Sequence, residues 1–272
     1  MSQSITTLLS IAGSDPVGGA GIQADIKVGA AIGVHVVTAI TAVTVQNSKA
    51  FYSLNPVNPI LLQRQLKAIS EDVVPDAIKI GMVVSIDNLK IISEYLETLP
   101  TSVKIVVDPV ISPTVVNIEQ GNQNPSSSDL LFHTYRERLF PYAFVATPNL
   151  RETERLCQRR FDHIEDLFEA PSLLNLKNII VTGFTAGNEI SDVMISGNNI
   201  FENSHEVIDC SNLHGSGCVF SSLLAAFLGK GLALKQAFFE TSNRLHSIID
   251  NSCNYVFGNS SYGPLNVNNN LL

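Results

Sequence analysis

The residues best suited to chemistry lie in Asn212-Leu213-His214-Gly215-Ser216-Gly217-Cys218. Two glycines bracket a small hydroxyl residue, and a cysteine follows. Behind them, apolar residues recur at Phe220, Leu223, Leu224, Phe227 and Leu228, the spacing of a helix with one buried face. Gly229 and Gly231 mark its end, with Lys230 where a cation suits the helix dipole. Gly215, Ser216 and Gly217 are thus expected at the mouth of a helix, with Cys218 in its first turn. The first N–H groups of a helix have no internal partners and carry the positive end of the dipole, so they can hold a phosphate or a developing oxyanion. A thiol placed there is expected to have its pKa lowered by the same field. Cys218 could then take a proton from a substrate hydroxyl while the amides hold negative charge. The alternative is a glycine-rich turn running into a core helix that buries a small cysteine.

Other site-like residues fall where strands are expected to end. Gln46, Asn47 and Ser48 follow a Val/Thr/Ile-rich run, and an amide offers a donor and an acceptor together, which suits the edge of a heteroaromatic ring. An ordinary turn would read the same way. Asp108 follows Val103–Val107, a place for a metal-linked or phosphate-linked carboxylate or for a loop cap. Asn149 and Glu152, three apart at a helix start, either cap that helix or orient metal-bound water. Asp25 lies on the polar side of a helix with Gln23 and Lys27, as a solvated residue or a site residue.

These residues need elements to carry them. Thr6–Ala12 reads as a buried strand, followed by the turn-rich loop Gly13–Gly21 and a helix from about Ile22, with Ile22, Ile26 and Ala30 inward and Gly33 as its stop. Strands follow at Val34–Val45, Ala77–Gly81, Val103–Val107, Tyr142–Ala146 and Asn178–Thr182. Helices are expected from Asn58-Pro59 with Leu62, Leu66 and Ile69 inward, at Ile86–Leu99, Leu130–Leu139 and Leu234–Asp250. Asp192–Ile195 and Ile200–Val207 form a hairpin pattern. Ile111–Asp129 is aperiodic and polar and reads as a mobile surface loop; the tail from Asn251 is expected to be loosely held. Alternating strands and helices imply an α/β fold, a mostly parallel sheet with helices on both faces and ligands at the carboxyl ends of the strands. Gly13, Gln46, Met82, Asp108, Asn149 and Gly183 would then share one rim with the helix mouth at Gly215. No internal repeat or linker is visible, so residues 1–272 read as a single domain.

Composition narrows the partners. The net charge of −8 argues against a broad basic surface for nucleic acid. No apolar run is long enough to span a bilayer, and the N-terminus lacks the basic region of a signal peptide. Cys157, Cys210, Cys218 and Cys253 show no C-x-x-C spacing, which argues against zinc and a redox pair and for reduced thiols in a cytoplasmic protein. The glycine spacing after the first strand is not that of a dinucleotide fold, and no Walker lysine is present.

Ile11–Asp15 together with Gly18-Gly19-Ala20-Gly21-Ile22-Gln23-Ala24-Asp25 resembles the N-terminal signature of the hydroxymethylpyrimidine and phosphomethylpyrimidine kinases of thiamine biosynthesis, in the ribokinase superfamily. Thr41–Asn47, Lys79–Met82, Val107–Val110, Thr147–Leu150, His214–Cys218 and Gly263–Asn266 match as well, in order. The resemblance implies a ribokinase-like fold and transfer of the ATP γ-phosphate, with Mg²⁺, to a hydroxymethyl group or its monophosphate. It implies a pyrimidine pocket of Gly13, Ala20, Asp25, Thr44, Gln46, Met82 and Val110, with Gln46 on the ring edge. Cys218 would be the base, and Gly215 to Gly217 the anion hole. Asp108, Asn149, Glu152 and Thr182 would serve the nucleotide, with Asp108 and Glu152 reaching Mg²⁺ through water. A homodimer is implied too.

The chain departs from the family on the phosphate side. Where the family carries a lysine-containing Ala-Lys-Ser-Gly segment after Asp-Pro-Val, this chain reads Ile111-Ser112-Pro113-Thr114. Where the family has Lys-Gly-Gly-His, it reads Thr182-Gly183-Phe184-Thr185. The segment between Leu156 and Asn178 is short. Two further readings therefore stand beside the kinase: a pyridoxal kinase on the same scaffold, and a non-catalytic pyrimidine binder.

Overall fold

A computed structural model describes residues 5–110, 125–258 and 263–267. Among the described residues, nine strands form one sheet in the order β3-β2-β1-β4-β5-β6-β7-β8-β9. They are β1 (Thr7–Ser14), β2 (His35–Gln46), β3 (Phe51–Pro56), β4 (Ala77–Ile80), β5 (Lys104–Val107), β6 (Val145–Ala146), β7 (Asn178–Ala186), β8 (Glu189–Ser196) and β9 (Asn199–Glu206). From β2 through β7 every neighbouring pair is parallel, while β3, β8 and β9 are antiparallel additions at the two edges. The carboxyl ends of six strands therefore share one rim, as their sequence suggests.

Helices cover both faces: α1 (Gly21–Ile32), α2 (Pro59–Ser70), α3 (Ile86–Glu97), α4 (Pro125–Arg138), α5 (Leu150–Cys157), α6 (Ala170–Leu174), α7 (Ser216–Gly229) and α8 (Leu234–Ser252). Leu62, Leu66, Leu89, Ile92, Tyr135 and Leu156 build one core between α2–α5 and the sheet. Val28, Phe220, Leu224 and Phe238 build the other beneath α1, α7 and α8. A strand such as β1, buried on both faces, reads as a continuous apolar run for that reason. Among the described residues no helix is long and apolar enough to cross a membrane.

Several expectations are corrected. α7 is buried all round from Val219 to Leu228, not on one face, because it is enclosed by the sheet, α1 and α8. α1 buries Ile22, Ala24, Asp25, Val28 and Gly29, whereas Ile26 and Ala30 face outward. β3 has no counterpart in the sequence reading, since most of its residues are exposed and it lacks a buried apolar set. β7 continues past a bulge to Ala186 and pairs with β8 along its length. α4 begins at Pro125, inside the segment read as loop; residues 111–124 lie outside the described residues. Past Asn251 the chain is not uniformly loose: Leu265 and Val267 are buried, and Pro264 bridges to His214.

Candidate active site

The site is built around the loop Gly13–Gly21, which leaves the middle of the sheet and enters α1. Asp15, 3% exposed, is its internal anchor. Its Oδ2 accepts the Gly19 and Ala20 N–H groups at 3.0 and 2.9 Å and meets Nε2 of His214 at 2.9 Å. Its Oδ1 accepts the Val17 N–H at 2.9 Å and an amide hydrogen of Gln46. These donors hold the Asp15 carboxyl below the usual carboxylate range, although burial acts in the opposite direction. Gln23 ties the loop to the start of α1, accepting from the Asp15 N–H and donating to Ser14 Oγ.

The expected ring side assembles on this loop. A Cβ at Gly13 would lie 2.5 Å from Cε of Met82, so glycine lets the methionine cross the strand. Thr44 is buried at the end of β2 and spends its hydroxyl on the Ser14 carbonyl, which makes it a support for the loop. Gln46, the last residue of β2, is half-buried. Ala20 and Val110 are also half-buried, and the Val110 N–H bonds the Asp108 carbonyl.

The mouth of α7 meets the same loop. Gly215 has φ 86°, and a side chain there would overlap the Gly19 carbonyl. The Gly19 position is in turn closed by His214 and Pro264. Cys218 lies in the first turn, and the nearby Gly21 N–H favours its thiolate form. The helix mouth does not lower its pKa. Burial, with Asp108 and Asp25 nearby, pushes the thiol up to about 11, against the opposing pull of Lys79.

Beneath Cys218 sits a buried ion pair. Lys79, in the middle of apolar β4, and Asp25, on the inner side of α1, have fully buried side chains 2.9 Å apart. Ser10 of β1 and Ser222 of α7 both donate to the Asp25 carboxylate. Asp25 is therefore neither solvated nor a pocket wall: its oxygens are taken by Lys79 and two serines. Lys79 is held protonated, its pKa raised by Asp25, Cys218 and Asp108 in spite of burial. Asp108 accepts from Ser221 Oγ at 2.8 Å, and its burial raises its own pKa.

On the phosphate side, Asn149 and Glu152 form a reciprocal capping box at the start of α5, each accepting the other's backbone N–H at 2.9 Å. Thr182 donates its N–H to Pro148 and bridges to Asn149. Asp108 and Asn149 thus follow the carboxyl ends of β5 and β6, and Thr182 lies beside Asn149 at the bulge within neighbouring β7. Among the described residues no group of three or more His, Cys, Asp or Glu side chains could hold a metal ion.

Sequence reasoning assigned no role to Asp15, Lys79 and His214, although they lie within the matched motifs, and missed Ser221 and Ser222. One signal was legible: a lysine inside the otherwise apolar run Ala77–Ile80 calls for a buried counter-charge.

Comparison with known proteins places the chain by family and fold. The family described as phosphomethylpyrimidine kinase matches residues 15–266. A hydroxymethylpyrimidine/phosphomethylpyrimidine kinase from Bacillus subtilis is 32% identical over 268 residues, covering 97% of this chain and 95% of the relative. A probable thiamine biosynthetic bifunctional enzyme from rice is 33% identical over 94% of this chain, which spans 46% of that relative. A pyridoxal kinase from Staphylococcus aureus, solved with AMP-PCP and pyridoxal, superposes with a TM-score of 0.83 at 26% identity, covering 98% of this chain and 94% of the other.

Proposed function

The chain belongs to the phosphomethylpyrimidine kinase family, and on that premise we propose that it transfers the γ-phosphoryl group of ATP to 4-amino-5-hydroxymethyl-2-methylpyrimidine, to its monophosphate, or to both, in thiamine biosynthesis. One observation carries the reading. The Gly13–Gly21 loop touches Gln46 and Met82 on the ring side and Gly215 and Cys218 at the helix mouth, so ring and reacting hydroxyl would be held by one element.

Phosphoryl transfer asks the protein mainly for positioning and charge stabilisation. The ring would lie against Gly13, Ala20, Met82 and Val110 with its edge on Gln46. As the hydroxymethyl oxygen attacks the γ-phosphorus, its proton passes to the Cys218 sulfur and the bond to the ADP oxygen breaks. The N–H groups of Gly217 and Cys218 would hold the oxygens of the group in flight, while the Ser216 N–H is donated to the Leu213 carbonyl. That proton transfer needs the Cys218 thiolate; with the thiol pushed up to about 11, the thiolate is strongly basic but rarely present at neutral pH, so turnover should rise with pH. Mg²⁺ takes one or two carboxylates plus substrate phosphates, which suits Asp108 and Glu152 acting through water; bound there it would neutralise charge on the phosphates. Asn149 and Thr182 would lie along the nucleotide. Lys79 does not replace the absent family lysines, because its ammonium is committed to Asp25. We expect a slow kinase with ordinary ring affinity, acting as one domain in the cytoplasm. Val43, Val45 and Tyr52 leave an exposed apolar face on β2 and β3, which supports a homodimer.

The pyridoxal alternative rests on the fold shared with the staphylococcal enzyme. ADP release with the hydroxymethylpyrimidine, its phosphate and pyridoxal, side by side across a Mg²⁺ series, separates the readings. Turnover greatest on a pyrimidine supports the proposal, and turnover greatest on pyridoxal replaces it. Ring binding with no ADP release at any Mg²⁺ concentration favours the non-catalytic binder.

A further inference from the structure

The hydrogen bond between Gln46 and Asp15 fixes which way the glutamine amide faces. We infer that Asp15 is a positioning residue for ring selectivity: it orients Gln46 so that the carbonyl oxygen turns toward the ligand and selects a ring edge bearing an exocyclic amino group. The inference rests on the pyrimidine reading above and adds the residue that enforces it.

The orientation follows from hydrogen-bond chemistry. An ionised carboxylate only accepts, so the Gln46 atom that meets Asp15 Oδ1 at 2.5 Å must be the NH₂ nitrogen. Asp15 is kept ionised by its donors. The same logic assigns the proton of His214 to Nε2, which faces Asp15 Oδ2. With Nε2 of Gln46 turned to Asp15, Oε1 is directed away from it, and no described residue donates to that oxygen. The outward edge of the amide therefore offers an acceptor beside its remaining N–H. That pair complements an amino group next to a ring nitrogen, as glutamine and asparagine do with the edge of adenine. A 4-oxo ring presents the reverse pattern and would set two acceptors against each other.

Asp15 can enforce this because its position is over-determined. Oδ2 already takes Gly19, Ala20 and His214, and Oδ1 takes Val17 beside Gln46. An asparagine at 15 would keep its single oxygen where three donors converge and turn its NH₂ toward Gln46. The glutamine amide would then flip, and the outward edge would reverse.

The test is calorimetric binding, without nucleotide, of the 4-amino-5-hydroxymethyl-2-methylpyrimidine and its 4-oxo analogue to wild type and Asp15→Asn. Wild type should prefer the amino ring by about tenfold or more, the size expected when a buried polar group is left unpaired. Asp15→Asn should bring the two rings within about threefold or favour the oxo ring. A merely structural role would weaken both rings alike and leave their ratio unchanged, and that result overturns the inference. If Asp15→Asn does not fold, Asp15→Ser carries the same expectation, since it keeps a short acceptor for the loop and loses the reach to Gln46. Wild type binding both rings equally overturns the orientation while leaving the pyrimidine reading in place. Wild type binding neither ring overturns both.

Discussion

The buried Asp25–Lys79 pair offers the sharpest quantitative test, because both charges lie in the packed layer between the sheet and α7. Lys79→Met would leave the Asp25 carboxylate with two serine hydroxyls and no counter-charge. Breaking a buried pair from one side costs about 3–5 kcal/mol. Asp25→Asn would strand the Lys79 ammonium at a similar cost, and its single amide oxygen could accept from only one of Ser10 and Ser222, which donate to different carboxylate oxygens. If the charges acted independently, the double variant would lose about 6–10 kcal/mol, comparable with the whole stability of a domain. Because the two losses share one cause, the double variant should lose no more than either single, a coupling of about 3 kcal/mol or more. Urea unfolding of wild type, both singles and the double, followed by circular dichroism and fluorescence together, measures this cycle. The pH dependence has a definite sign. The Lys79 pKa is raised from 10.5, so the stabilisation it brings is complete below 10.5 and fades only as pH rises through the higher folded value. The coupling should therefore be the same at pH 7 and pH 9. Additive losses, or a coupling that vanishes between those values, would refute the reasoning.

Four further outcomes are expected. Cys218→Ala should lose about 10²–10⁴ in turnover with ring binding within a few-fold, and only wild-type rates should climb with pH toward about 11; a near wild-type rate in the alanine variant would reduce Cys218 to packing. Gln46→Leu should weaken ring binding by about 1–3 kcal/mol and leave nucleotide binding unchanged, and calorimetry with both ligands checks this. Thr182→Lys should raise kcat, with an upper bound of about 3–4 kcal/mol in the barrier, and an unchanged rate would show that charge at this position is not limiting. The Asp15 pKa is lowered from 3.8, so its stabilisation of the loop is complete above 3.8 and is lost as pH falls below it; ring affinity should drop there in wild type, and the drop should flatten in Asp15→Asn.

The elements that position the site were legible because their signals are local. The buried runs of β1 and β5, the Asn58-Pro59 start of α2 and the apolar spacing of α7 each arise within a few residues of chain. The turn-rich loop before α1 and the Gly215–Cys218 mouth of α7 were readable as a loop and a helix start, because glycine clusters and helix-start signals act within a few residues of chain. Asn149 and Glu152 could be read from spacing as a capping pair, and they form one.

What the tertiary structure decided concerns side chains whose partners lie far away in the chain. Asp25 looked like a polar surface residue, but α1 packs against α7 and β4 so that it meets Lys79, 54 residues away, and Ser222, 197 away. Asp15 meets His214 across 199 residues. The thiol of Cys218 illustrates the limit best. Its place in the first turn of a helix is written in the sequence and predicts a lowered pKa. Its actual value depends on burial and on Asp108, Asp25 and Lys79, which reach it from three other elements. Desolvation and pairwise charge energies depend on distances in space, and the chain sets those distances only when it has folded.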